Sequence, residues 1–314
     1  IGPNAKRAIA GGGGSASLNP YYLTPPFDGI RNSIDAEITY SKGCDSAKWL
    51  SLASEYCQTS TGEPGVSIEY FKGTRFEDEP VAVQQQRSTE LLLMDSVPKE
   101  VTSEYSFRVK TKLVPKTSGS HSISFSSVGP GRLFLNGHAF IDVWDWTEPD
   151  QTMLPSSKEV AKTTALEAGV PVNILIEGTN ETRPLSMIGS ENPLNFLGGC
   201  RLGYQEEVKI DLLQEAIDAA KQADVVVVVV GLDAEWESEG YDRDFLDLPK
   251  NGSQDRLVTE VLKANPRTVV VNQSGSPVAM PWADSVPAIV QAWYQGQEAG
   301  NAIADVLFGR QSPS

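Results

Sequence analysis

Three glutamates alternate with other residues in Glu235-Trp236-Glu237-Ser238-Glu239, and Gly240-Tyr241-Asp242-Arg243 follows directly. Carboxylates held close together are the working groups of acid–base and glycosyl-transfer chemistry. Like charges crowded into one loop raise one another's pKa, as a general acid needs at neutral pH. An aromatic ring beside them, Trp236, can stack on the apolar face of a sugar. The same residues also describe a solvated acidic loop. Local chemistry alone leaves the working carboxylate open among the three glutamates. Asp242 and Arg243 could form a pair that positions the loop, or a surface pair worth under ~1 kcal/mol.

Other chemistries find less support. His121 and His138 each stand alone, away from any cysteine, so no zinc site is expected. Gly12-Gly13-Gly14-Ser15-Ala16 lacks the final glycine of a nucleophile elbow, and no suitably placed histidine serves a serine hydrolase. Gly11 to Gly14 has neither the Gly-Lys-Ser/Thr ending of a P-loop nor dinucleotide-binding spacing. No cofactor is implied.

The acidic loop follows Val225 to Val230, an apolar run that reads as a strand buried on both faces. Ligands bind outside the carboxyl ends of parallel strands, which is where this loop begins. Around that strand the pattern alternates between helix and strand. Ile210 to Ala220 has helical spacing, Arg256 to Ala264 reads as a helix, Thr268 to Val271 and Ala288 to Ala292 as strands. Ala299 to Leu307 reads as a helix ending near Gly309. Residues 205–314 therefore predict the second part of an α/β sandwich domain with a mostly parallel sheet. Residues 1–43 are glycine- and proline-rich, with a short strand expected over Asp35 to Tyr40, and form its first part.

The texture between them is all-β. Val66 to Phe71, Tyr105 to Val109 and Ser122 to Ser126 alternate polar and apolar residues. Arg132 to Leu135 leads into the hairpin dipeptide Asn136-Gly137, with His138 to Trp144 as the return strand, and Val172 to Gly178 is a further strand. Residues 66–204 predict an inserted β-sandwich, and residues 44–65 a connector. The expected fold class is α/β plus all-β: an α/β sandwich domain interrupted by a β-sandwich.

Bulk properties bound the partners. The chain has 314 residues, a net charge of −15 and a pI near 4.6, which disfavours nucleic acid. No run of eighteen apolar residues exists, so no membrane span is expected. Ile1-Gly2-Pro3-Asn4 has no basic start or apolar stretch, so no secretory signal is read and the compartment stays open. Three cysteines, Cys44, Cys57 and Cys200, leave at least one unpaired. The sequons at Asn180, Asn251 and Asn272 permit glycosylation only of a secreted protein, and Asn272 ends a buried strand.

Glu239-Gly240-Tyr241-Asp242-Arg243 resembles the acid/base loop of glycoside hydrolase family 3, the β-glucosidase and β-xylosidase family. Ile1 to Ala5, Gly12 to Ala16, Val271 to Val278 and Trp293 to Ala302 resemble the same family's second, α/β sandwich domain, in the family's order. Gly131 to Gly137, followed by Ile141-Asp142-Val143-Trp144, resembles the protective antigen-type β-sandwich inserted in that domain in some family members.

The resemblance implies that Glu239 is the acid/base of a retaining β-glucosidase acting on a β-glucoside or gluco-oligosaccharide, with Glu237 the alternative if the alignment slips by two. It implies that Gly11 to Gly14 is a close-packed loop. It implies that the inserted sandwich shapes the substrate site, and Trp144, Asp145 and Trp146 are the residues expected to face the sugar. Some relatives of that sandwich bind calcium through paired aspartates; no Asp-Asp pair occurs here, so none is expected. The family's nucleophile is an aspartate on a preceding (β/α)8 barrel, and a fibronectin-like domain usually follows. The resemblance therefore implies a piece of a larger enzyme, weak in hydrolysis by itself. The other readings are a carbohydrate-binding module without catalysis and a β-xylosidase-type exo-glycosidase.

Overall fold

The computed structural model describes residues 1–314 except 18, 19, 77, 78, 94–96, 102, 151, 154, 155, 182–196, 240, 241 and 314. Gly240 and Tyr241 of the acidic loop, and Thr182 of one sequon, thus lie outside the described residues. The chain divides into two compact units, one formed by residues 1–48 and 209–314 and the other by residues 49–208.

The described residues of 49–208 form two large antiparallel sheets and a two-stranded one. The larger contains β1 (Cys57–Gln58), β2 (Val66–Lys72), β3 (Ala82–Gln86), β5 (Tyr105–Leu113), β7 (Gly131–Leu135), β8 (His138–Asp142) and β12 (Val172–Thr179). The smaller contains β4 (Glu90–Leu93), β6 (Gly119–Ser127), β11 (Val160–Leu166) and β13 (Gly198–Gln205), and β9 (Pro149–Asp150) pairs with β10 (Ser156–Ser157). Alternation of side chains explains the core. One row of facing residues, Ile68, Val109, Ile176, Leu133 and Ile141, crosses the larger sheet, and all five are buried. On the smaller sheet Phe125 faces Leu202 and Val160, and Ile123 faces Tyr204. Both sheets contribute to one hydrophobic cluster.

The turn between β7 and β8 has Asn136 and Gly137 in the left-handed region, φ 49° and 83°, the two-residue hairpin that this dipeptide predicts. The return strand stops at Asp142, short of Trp144, because the Asp142 carboxylate accepts the Trp144 N–H at 2.9 Å and turns the chain. Residues 44–65 are not a free-standing connector. Their later part joins this unit: Ala53–Tyr56 forms a helical turn, and β1 pairs with β5.

An ion cluster ties this unit together. Arg201, 6% exposed, contacts Glu159 at 2.8 Å and donates to Leu50 O at 2.7 Å, while Ser124 donates to Glu159 at 2.7 Å. Arg201→Ala leaves the Glu159 charge without its cation. It should lower the stability of residues 49–208 by about 3–5 kcal/mol, read from the urea midpoint. An unchanged midpoint would contradict the role given to this cluster.

The other unit is built on three strands, β14 (Val226–Gly231), β15 (Thr268–Gln273) and β16 (Ala288–Gln291), paired in parallel in that order. The expectation of a mostly parallel sheet is corrected: among the described strands the parallel pairs are those of β14, β15 and β16, and the sheets are mostly antiparallel. Antiparallel pairs dominate because the all-β segment supplies most of the strands. Four helices accompany the parallel strands: α1 (Pro26–Ser33), α2 (Leu212–Gln222), α3 (Ser253–Ala264) and α4 (Ala299–Leu307). Val226, Val228, Val230 and Val270 pack with Ala216, Ala220, Leu257 and Val261 of α2 and α3. Val229 and Val271 pack with Ile303 of α4. Covering on both faces accounts for the unbroken valine run.

Asp211 caps α2 by accepting the Gln214 N–H at 3.0 Å. Helix α1, unexpected in a proline-rich stretch, starts at Pro26, where a missing N–H is harmless. It meets α4 at Gly29 and Gly300, where a Cβ on Gly29 would lie 2.1 Å from the Gly300 carbonyl oxygen. Residues 35–40, expected as a strand, are irregular and largely solvent-exposed, and among the described strands none pairs with them.

Polar and thiol groups place themselves by burial. His121 is buried, stacked on Tyr204 and 2.8 Å from its hydroxyl through Nδ1, whereas His138 is exposed. All three cysteines are free and buried, and burial pushes the thiols of Cys44 and Cys57 up to about 11. Ellman's reagent at pH 8 should therefore react only on unfolding; fast labelling of the folded protein would contradict this. Asn180 and Asn272 are buried and Asn251 is exposed.

Candidate active-site loop

The acidic loop leaves the carboxyl end of β14, and its first carboxylate anchors it. Asp233 is 3% exposed and meets Arg7 at 2.5 Å. Its backbone oxygen accepts the N–H groups of Trp236 and Glu237 at 3.0 and 2.9 Å, and its side chain accepts that of Glu235 at 2.9 Å. A tight turn results, which sends Glu235, Glu237 and Glu239 to different partners.

Glu235 accepts the Lys48 N–H at 2.7 Å. Glu237 is held by the loops that follow the other two strands: the Gly275 N–H donates to it at 2.7 Å, and the hydroxyls of Ser276 and Tyr294 donate as well. Burial, and then this bond to Glu237, raise the Tyr294 pKa. Glu239 is exposed. One of its oxygens, Oε2, accepts the Ser15 N–H at 2.9 Å. The Ser15 hydroxyl and then its N–H hold the Glu239 carboxyl below the usual carboxylate range. Crowding therefore does not raise the pKa of Glu239, because each glutamate has donors of its own.

The glycine-rich segment packs against this loop. Gly13 bridges Ser238 in parallel, and its N–H donates to Glu237 O at 2.8 Å. Arg243 does not pair with Asp242. It donates to Phe245 O, Ser276 Oγ and Pro277 O at 3.2, 3.0 and 2.7 Å, which tethers the far side of the loop to the segment after β15. Asp242 is exposed.

Trp236 is partly buried. Its indole N–H donates to Ser46 O at 2.7 Å, its ring packs edge-on to Phe245, and the Lys48 ammonium lies 5.5 Å above it. It also lines a cavity of about 330 Å³ with Phe245, Leu248 and Asn251. Trp144 and Asp145 belong to the all-β unit, just after β8. Trp144 is partly exposed, with the Arg132 guanidinium 4.5 Å from its ring, and Asp145 is exposed. Trp146 packs on that unit's core and donates to Gly129 O at 3.0 Å. Sequence reasoning missed Ser15, Gly275, Ser276 and Tyr294. Their segments were visible as motifs, but no spacing in the sequence links them to residues 237–239. Among the described residues no group of three histidine, cysteine or acidic side chains is disposed to hold a metal ion.

Comparison with known proteins gives this loop its context. The sequence matches the glycosyl hydrolase family 3 C-terminal domain over residues 1–314. The chain belongs to that family. It is 36% identical over 326 residues to probable beta-glucosidase I of Aspergillus terreus, and 38% identical over 320 residues to probable beta-glucosidase J of Emericella nidulans. Each alignment covers all of this chain but only 38% and 37% of the relative. The crystal structure of beta-glucosidase from Kluyveromyces marxianus in complex with glucose superposes with a TM-score of 0.79 at 34% identity, covering 98% of this chain and 37% of that one. The chain thus spans well under half the length of the family 3 proteins it matches.

Proposed function

We propose that this chain supplies the general acid/base to a retaining β-glucosidase that removes terminal non-reducing β-D-glucosyl residues. The observation that carries the proposal is the contrast between Glu237 and Glu239. Glu237 is half-buried and both of its oxygens are engaged by donors. Glu239 is exposed, with a donor on one oxygen, Oε2, in the loop that follows the carboxyl end of β14, where ligands bind. In the first step Glu239 protonates the leaving oxygen, and in the second it takes a proton from the attacking water.

The nucleophile belongs to a (β/α)8 barrel outside this chain, and a fibronectin-like domain is a second partner in the same polypeptide. A carboxylate nucleophile arriving beside Glu239 supplies the like charge that raises a general acid's pKa. Residues 49–208 act as a protective antigen-type module whose Trp144 and Asp145 contact the sugar chain, with Trp236 contributing from the acidic loop.

Two measurements test the reading. Early glucose released from an aryl β-glucoside by the full-length enzyme, followed by proton NMR, should be the β anomer, and α-glucose first would overturn a retaining mechanism. Calorimetric titration of residues 1–314 with gluco-oligosaccharides should give no heat at micromolar sugar. Clear micromolar binding would favour a carbohydrate-binding module instead.

A further inference from the structure

An acid/base on an exposed loop needs a device that keeps its carboxyl in one place, because a glutamate has three side-chain rotors to restrain. Residues 12–15 have the geometry of such a device. The Gly13–Ser238 bridge and the Gly13 N–H to Glu237 O bond fix the backbone directly before the carboxylate. Gly14, with φ 71°, passes so close that a Cβ there would lie 2.6 Å from Glu239 Cβ. The next residue, Ser15, then delivers its N–H to Oε2 at 2.9 Å.

We propose that Ser15 is the positioning residue of the acid/base, holding Oε2 so that the other oxygen of Glu239, Oε1, carries and returns the catalytic proton. The proposal rests on the assignment of Glu239 above. A protonated carboxyl accepts hydrogen bonds better at its carbonyl oxygen than at its hydroxyl oxygen. A donor on Oε2 therefore makes Oε2 the carbonyl oxygen and leaves the proton on Oε1. In the base step the same donor is a charge-assisted bond to the carboxylate. The lowered pKa of Glu239 agrees with this contact. No such role is visible from the sequence, where Gly11 to Gly14 reads only as a close-packed loop.

The test uses the full-length enzyme with Ser15→Pro, which removes the N–H on Oε2, with Ser15→Ala and Ser15→Thr, which keep it, and with Glu239→Gln. Loss of the Ser15 hydroxyl removes a donor to the charged form, so the Glu239 pKa rises. The alkaline limb of kcat/KM should then move to higher pH in Ser15→Ala. The plateau should fall about tenfold for alkyl glucosides and little for 2,4-dinitrophenyl glucoside, whose departure needs no proton. Ser15→Thr, which keeps a hydroxyl, should restore both. An equal loss on both substrates with an unmoved limb would mean general damage to the loop and would overturn the proposal. If Glu239→Gln is crippled while Ser15→Pro, which has no N–H to hold Oε2, behaves like the parent, the positioning role alone fails. If Glu239→Gln turns over alkyl glucosides normally, the acid/base assignment fails and this inference with it.

Discussion

Glu239→Gln in the full-length enzyme is expected to lower turnover of alkyl β-glucosides by about 10²–10⁴-fold, the usual worth of a positioned general acid. Activated aryl glucosides should form the glycosyl-enzyme almost normally and then stall, because water is no longer deprotonated. Azide needs no general base and should restore their turnover. Unchanged hydrolysis of alkyl glucosides would sink the assignment. Glu237→Gln makes the comparison informative. Glu237 touches Gly275, Ser276 and Tyr294 and no reacting atom in the proposed scheme, so its loss should depress all substrates together, without azide rescue.

The second large effect concerns the strand that launches the loop. Gly231 ends β14 with φ 143°, and a Cβ there would lie 1.9 Å from the Gln273 carbonyl oxygen of β15. Its N–H and C=O are both taken by the buried Gln254 side chain, at 2.9 and 3.0 Å. Gly231→Ala adds backbone strain, pushes two paired strands apart and disturbs this double bond. A loss of about 3–5 kcal/mol is expected, visible as a lower urea midpoint. The β14 end carries Asp233 and the turn after it, so activity should fall even where the variant still folds. A variant with the parent's midpoint would show that the strand ends can separate without penalty.

Much of this was legible in the sequence. The valine run, the helical spacings of α2, α3 and α4 and the Asn136-Gly137 hairpin each state a period or a turn chemistry that tertiary context did not override. Strands β3, β4, β11 and β13 were not legible. Ala82–Gln86 is mostly polar because it edges a sheet, and Gly198–Gln205 lacks alternation because every residue but the last is buried. Helix α1 hid behind Pro25 and Pro26. Within the site, Glu239 emerged only from the flanking motifs, since three similar glutamates stand in one loop. What separates them is long-range: Ser15 lies 224 residues from Glu239, and Tyr294 lies 57 residues from Glu237. The pKa expectation failed for the same reason, since donors remote in sequence outweigh neighbours in it.

The carboxylate of Glu237 binds the loops after β15 and β16 while belonging to the loop after β14, and its own carbonyl holds the glycine-rich segment. Four separate stretches of chain thus share one fastening. Opening any of them frees donors that the half-buried Glu237 holds in the others, so they should fluctuate as a single cooperative element. In native-state hydrogen exchange the amides of Gly13 and Gly275 should open with a common free energy, and both should quicken together in Glu237→Gln.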